Sequence, residues 1–496
     1  MPCLFRLIVR RDFFIGSNLL KGDSFMKTKA VVFLIACAII SLLATPIVSA
    51  DEMIVSGDFE YYISPETAHE DYRGTVVITK YLGNDKEVVI PSEIDGKTVT
   101  LIDTDAFRNN EKLKSVKLPD TLIGIGVEAF AFCKSLEEVN IPEGIKDFSP
   151  AFRGCEMLKS IVIPEGIERI EQGMFRDCIS LENVTLPNSL KIIDGSTFEK
   201  CTSLKTITLP NGIIEIGANA FGGCTALSEI SIPESVTYIG ASAFANTAFY
   251  NDAENWENGV FYADGCLIDS KREEIKGEYS VKEGTRIIAV RAFSRAEELE
   301  MLKLPEGLKV ICDAAFDECT SLKTVELQGG LETIGLSAFR KCPIDEIVIP
   351  EGVRSIGDRA FVRCGMQKVT LPKSLEIIGY EAFGGNSINK VYYNGAESGW
   401  NEKQFGAAMG LSPYAKVKFA DGNVNGESVS NTSDEGVEAS EDSGNNSDAA
   451  ETASASTVEA VEESYAYIWI TLASVIAIIT IAITIISVKK RSRHHS

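Results

Sequence analysis

Residues able to do chemistry are scarce and oddly spaced in this chain. There are 3 histidines, His69, His494 and His495, and only the first lies away from the C-terminus. A Ser–His–Asp triad or a multi-histidine metal centre therefore lacks its raw material. Cysteine is more frequent, with 12 in all. Eight of them (Cys133, Cys155, Cys178, Cys201, Cys224, Cys319, Cys342 and Cys364) fall 22 or 23 residues apart within two runs. Even-numbered cysteines in an extracellular protein suggest disulfides. A shared repeat position instead turns every thiol the same way into a core, where thiols pack as small apolar groups. The spacing favours free, buried thiols. No CxxC pair or partnering histidine points to a metal.

Carboxylates are plentiful, with 71 acidic residues, but no spacing singles out a catalytic pair. GxSxG, HExxH, Walker and dinucleotide fingerprints are all missing. No catalytic residue, metal or cofactor is assigned, and the chain does not read as an enzyme. The remaining candidate is aromatic. Phe249, Tyr250, Trp256, Phe261 and Tyr262 fall close together in a chain that is only 8% aromatic. Such rings anchor protein partners by burial and sugars by stacking. The other reading is a cap-like excursion that packs the rings on the structure either side.

The elements that must position these residues follow from a repeat, the strongest signal in the 496 residues. The frame of Leu204 to Ala226, LKTITLPNGIIEIGANAFGGCTA, recurs from Leu113, Leu136, Leu158, Leu181 and Leu227, and again from Leu299, Leu322, Ile344 and Met366. Ile207 and Leu209 alternate around Thr208, which is strand spacing. Pro210 cannot donate to a ladder and ends the strand. Ile213 and Ile216 turn inward on a second short segment, and Gly217 is expected to allow a tight bend. Ala220 and Phe221 open a short helical or irregular return. One phenylalanine per unit recurs from Phe107 to Phe383, twelve in all. Single units cannot bury their apolar residues, whereas stacked units share one core. The predicted fold is thus a β-rich solenoid in which each ring lies beneath the last. The largest departure from the frame is 245–280; the Leu136 copy is one residue short, Gln328 stands where proline is expected, and Thr247 and Asn386 stand where cysteine is expected.

This frame resembles the BspA-type (treponemal) class of leucine-rich repeat over about residues 75–400, because Pro, Phe and Cys recur in register. Residues 74–107 resemble that family's N-terminal cap. Val391-Tyr392-Tyr393-Asn394-Gly395 with Trp400 resembles its usual C-terminal end. The resemblance implies attachment to host matrix proteins, host cells or other microbes.

The ends suggest where the protein sits. Lys27 and Lys29, the apolar run Ala30 to Leu43 and Val48-Ser49-Ala50 read as a signal peptide over 26–50, preceded by an upstream extension, 1–25. Residues 51–112 read as cap and first repeat, 113–390 as the solenoid and 391–420 as the second cap. Residues 421–466 carry twelve acidic and no basic residues and read as a disordered stalk. The 22 uncharged residues 467–488 match one membrane crossing. The basic tail 489–496 would stay cytoplasmic, with the bulk outside the cell. The net charge of −23 argues against nucleic acid as a partner. The expectation is a membrane-anchored surface protein that adheres to an extracellular protein or glycan of host or neighbouring cells. The alternatives are a structural spacer or coat without a ligand, and a carbohydrate-capturing surface protein.

Overall fold

The computed structural model describes residues 53–422 apart from 66, 404 and 412–414. The expected leader 1–25 and 26–50, nearly all of the stalk 421–466, the crossing 467–488 and the tail 489–496 lie outside the described residues. Among the described residues no helix is long and apolar enough to cross a membrane.

Each unit folds into one coil of a solenoid, with a short second strand and an irregular return. Most coils also carry a short first strand, but in the Leu204 frame the strand expected around Ile207 and Leu209 is reduced to an isolated bridge, Thr206 to Glu229. First strands pair in parallel with those of the neighbouring coils, as in Ser160–Val162 on Asn183–Thr185 and in Glu346–Val348 on Lys368–Leu371. Second strands do the same: Arg169–Ile170, Ile192–Ile193, Glu215–Ile216 and Tyr238–Ile239 form one sheet. The proline that follows the first segment then accepts a turn hydrogen bond, as from the Ile213 amide to the Pro210 carbonyl at 3.1 Å. Gln328 stands in its place in the Leu322 coil. The return is not a helix. It places residues such as Ser196 (φ 56°), Lys200 (φ 63°) and Asn219 (φ 54°) in the left-handed region. Its amides reach across to the next coil, Phe198 N to Ala220 O at 2.8 Å and Lys200 N to Gly222 O at 2.8 Å.

Gly217 is required for a different reason from the tight bend expected. Its φ lies outside the left-handed region, but a Cβ there would sit 2.4 Å from the Gly195 backbone nitrogen. At Gly240 the distance to the Ala218 nitrogen would be 2.2 Å. The missing side chain lets adjacent coils approach, and glycine's dihedral freedom is not used.

The ring column is real but divided. From Phe107 to Phe244 the rings stack at 4.9–6.0 Å with interplanar angles of at most 21°. From Phe293 to Phe383 they stack at 5.1–5.3 Å. Tyr81 adds a rung below Phe107 at 5.1 Å and 13°. Between Phe244 and Phe293 the stack stops. There Trp256–Glu257 and Val260–Ala263 form an antiparallel hairpin, Val260–Ala263 pairs antiparallel with Cys266–Ser270, and that strand pairs in parallel with Ile287–Ile288. The N-terminal cap follows the same plan: Ile54–Ser56, Phe59–Ile63, Val76–Tyr81 and Lys97–Ile102 pair antiparallel, antiparallel and parallel.

The inserted hairpin is a septum between two cores. Phe261, Cys266 and Ile268 belong to the core of the first run, whereas Val260 and Leu267 belong to that of the second. Successive strand residues point to opposite faces, so a sheet buried on both sides needs apolar residues at every position.

Candidate functional site: the ring cluster and the strand face

The structure brings four of the five candidate rings together. Phe249 meets Phe261 edge-on at 5.3 Å, and Tyr250 meets Trp256 at 5.1 Å and Phe261 at 5.2 Å. Trp256 stacks on Phe261 at 5.6 Å. Phe249 also closes the first ring ladder, edge-on to Phe244 at 6.1 Å. Their polar atoms are turned inward to one another. Trp256 Nε1 donates to the Tyr250 carbonyl at 2.7 Å, and the Tyr250 hydroxyl donates to Asp269 at 2.9 Å. Burial raises the Asp269 carboxyl above the usual carboxylate range. Tyr262 stands apart on the other face, its hydroxyl 3.0 Å from that of Tyr279 and its ring under Lys282. Phe261 is fully buried, while Phe249, Tyr250, Trp256 and Tyr262 keep part of their surface. The arrangement packs the septum and leaves a partly exposed surface on each of those four residues.

The cysteine ladder has a polar function that spacing alone does not reveal. The thiol of each coil donates to the phenylalanine carbonyl of the coil before: Cys133 to Phe107 at 3.1 Å, Cys178 to Phe152 at 3.2 Å, Cys224 to Phe198 at 3.0 Å and Cys342 to Phe316 at 3.0 Å. Asn386 takes over where cysteine is missing, its Nδ2 reaching the Phe361 carbonyl at 2.7 Å. Thr247 does not; its hydroxyl donates to Phe244 in its own coil and caps the helix Ala248–Asn251. Ala296 fills the position in the first coil of the second run, which has no phenylalanine carbonyl in frame before it.

All ten described cysteines are free and buried. Burial pushes the thiols of Cys133, Cys178 and Cys364 up to about 12 from an ordinary 9.0, and holds Cys155 and Cys201 well above it. Raised thiol values mean that the unfolded chain loses these protons first. The ladder's contribution to stability is therefore full below pH 9.0 and is lost as pH climbs through about 12. A thiol reagent at pH 8 should find none of the ten in the native protein and all ten after unfolding without reductant. Fewer thiols in the unfolded, unreduced protein would mean disulfides.

The outer face of the first strands is polar and partly self-neutralised. Glu137 is held between Lys114 at 3.2 Å and Lys159 at 3.0 Å, which lowers its carboxyl below the usual range. Lys303 pairs with Glu278 at 2.5 Å. At the C-terminal end of this face a cavity of about 570 Å³ is lined by Asp345, Glu346, Gln367, Lys368, Asn389, Lys390 and Lys416.

The family profile described as BspA type Leucine rich repeat region matches residues 85–156, 148–254 and 279–408, in six copies. No curated protein is significantly similar in sequence. Among solved structures, a leucine rich cell surface protein from Faecalibacterium prausnitzii is 26% identical, covering 73% of this chain and 98% of its own, with a TM-score of 0.32. The leucine rich repeat protein of T. pallidum is 33% identical over 40% of this chain and 89% of its own, with a TM-score of 0.36. A leucine-rich repeat protein from Bacteroides ovatus is 25% identical over 74% of this chain and 99% of its own, with a TM-score of 0.34.

Proposed function

Since the chain belongs to the BspA-type leucine-rich repeat family, we propose that it is a binding protein of the cell surface, which adheres to an extracellular protein or glycan. The observation that carries this reading is the face of parallel first strands. It presents exposed side chains in register from coil to coil on a rigid core, as at Ser160 beside Asn183 and at Lys368 beside Lys390. Rigid elements hold such side chains in place before a ligand arrives, which lowers the entropy cost of binding. The proposed topology is a cleaved leader, an ectodomain over 51–420, an acidic stalk over 421–466 and one crossing over 467–488. Many copies on one membrane would add avidity to weak single contacts.

A second reading, a spacer without a specific ligand, is favoured by the Lys114–Glu137–Lys159 chain, which ties up charge within the face. Arrays of matrix proteins and glycans probed with residues 51–420 separate the two. Specific capture supports the binding protein, and no capture on either array supports the spacer. Alanine at Trp256 and Tyr262 is expected to lower the melting temperature. Lost capture at unchanged melting temperature would instead make the ring cluster the site.

A further inference from the structure

We propose that the C-terminal end of the first-strand face is a binding site for an acidic polysaccharide, one that carries carboxylate or sulfate groups along a linear chain. The inference rests on the binding reading above and names its ligand class and its place.

The site is a lysine ladder built by strand register. Lys368, Lys390 and Lys416 are Cα partners on three successive parallel strands, Lys368–Leu371, Lys390–Tyr393 and Lys416–Phe419. Two positions further along, Thr370, Tyr392 and Lys418 are partners in the same way. Parallel strands lie about 4.8 Å apart, so the cations repeat at that interval across the groove. Elsewhere on the face Lys114 and Lys159 meet Glu137, and Lys303 meets Glu278. Here Lys368 pairs with Glu346 at 3.0 Å, but Lys390 and Lys418 make no ion pair with any described residue. Both are exposed. Lys390 and Lys418, exposed on adjacent strands and without an ion pair among the described residues, are unexpected in a chain of net charge −23. Three lysines against two carboxylates line the groove, and screening over about 8 Å at physiological ionic strength weakens the influence of carboxylates farther away.

The other residues favour a sugar chain over a bare polyanion. Gln367 and Asn389 line the groove with exposed amides that can both donate to and accept from hydroxyls. Tyr392 keeps part of its ring surface between the lysines, and Lys368 Nζ lies 5.9 Å from the ring centroid. A half-exposed tyrosine offers an apolar face for a pyranose ring and a hydroxyl for its substituents. Asp345 and Glu346 close the far end of the groove. They would repel a continuous polyanion there and accept hydrogen bonds from neutral hydroxyls, which suits a chain whose acidic groups are spaced by neutral ones.

The test uses the full-length chain, with polygalacturonate and heparin as probes and dextran, polyglutamate and duplex DNA as controls. Binding to one or both acidic polysaccharides is expected, weakening as salt rises from about 50 to about 200 mM. The Lys390→Gln/Lys418→Gln double variant should lose on the order of tenfold or more in affinity at an unchanged melting temperature. Tyr392→Ala should weaken polysaccharide binding while leaving any residual polyglutamate binding unchanged. Unaltered affinity in the lysine double variant would overturn the site. Equal binding of DNA or polyglutamate would overturn the ligand class. Binding that emerges only when 423–466 are removed would assign the lysines to the chain's own acidic segment and overturn the proposal. Capture of a neutral glycan or a protein without any polyanion binding would sink this inference alone, and no capture at all would remove the binding reading with it.

Discussion

Replacing Phe198 with alanine is expected to destabilise the first run of coils by about 3–5 kcal/mol. The ring is fully buried and lies 5.6 Å from Phe175 and 5.5 Å from Phe221. Truncation removes its apolar burial and leaves a cavity that two neighbours, each fixed by its own coil, cannot fill by collapsing. Each lost ring pair adds about 0.5–1.5 kcal/mol to the burial cost. The backbone bonds at this position, from the Cys224 thiol to the residue 198 carbonyl and from the residue 198 amide to Ala220, are kept in the variant, so the loss reports the ring itself. Urea unfolding measures the effect as a fall in midpoint at an unchanged slope. A loss below about 1 kcal/mol, the range of tolerated volume-conserving swaps, would mean that the ring column carries little of the stability.

Arg286→Ala should have the second largest effect, at the join of the two runs. The Arg286 guanidinium reaches back some fifty residues, donating from Nη1 to Val236 O at 2.6 Å and from Nη2 to Pro233 O at 2.9 Å. Other bonds cross the same join: Val290 N to Ile239 O at 2.9 Å and Ile232 N to Asp264 at 2.7 Å. Each hydrogen bond from a charged group contributes about 1.5–3 kcal/mol, so the variant should lose about 3 kcal/mol. In an array whose stability is a sum of unit and interface terms, that loss falls on one interface. Calorimetry is therefore expected to show one transition in the parent chain and two in the variant. A single transition at the parent temperature would show that the runs are coupled mainly through the septum's apolar faces.

Much of the architecture was legible because the repeat places one ring, one proline and one thiol in fixed register. The columns around Leu204, Pro210 and Phe221 all proved to be coil positions. What escaped the pattern depends on partners in neighbouring coils. The thiol-to-carbonyl bond of Cys224 joins a side chain to a backbone atom, and backbone leaves no trace in a residue column. Gly217 was read as a bend because glycine permits one, whereas the coil spacing demands the absent Cβ. Tyr81 escaped notice as a rung because its residue type differs from the phenylalanine column. The break at 245–280 was visible, but its form was not. Asn258-Gly259 and Asp264-Gly265 are hairpin dipeptides, and both pairs take positive φ. Those turns, with an unbroken apolar run such as Cys266-Leu267-Ile268, were the available signal for a sheet buried on both faces. The lysine row at 368, 390 and 416 was also hidden, since the last spacing falls outside the repeat period and only strand pairing aligns it.

The central claim is that successive coils lie directly on one another with first strands in register. Engineered disulfides test it most directly, because a bridge needs Cα atoms about 4.4–6.8 Å apart. Ser160 and Asn183 are partners in adjacent coils. The account predicts that the Ser160→Cys/Asn183→Cys pair oxidises to an intramolecular disulfide in the native protein. It predicts that Ser160→Cys/Thr206→Cys, two coils apart, does not. Bridging of the distant pair, or none in the adjacent pair, would contradict the stacked array.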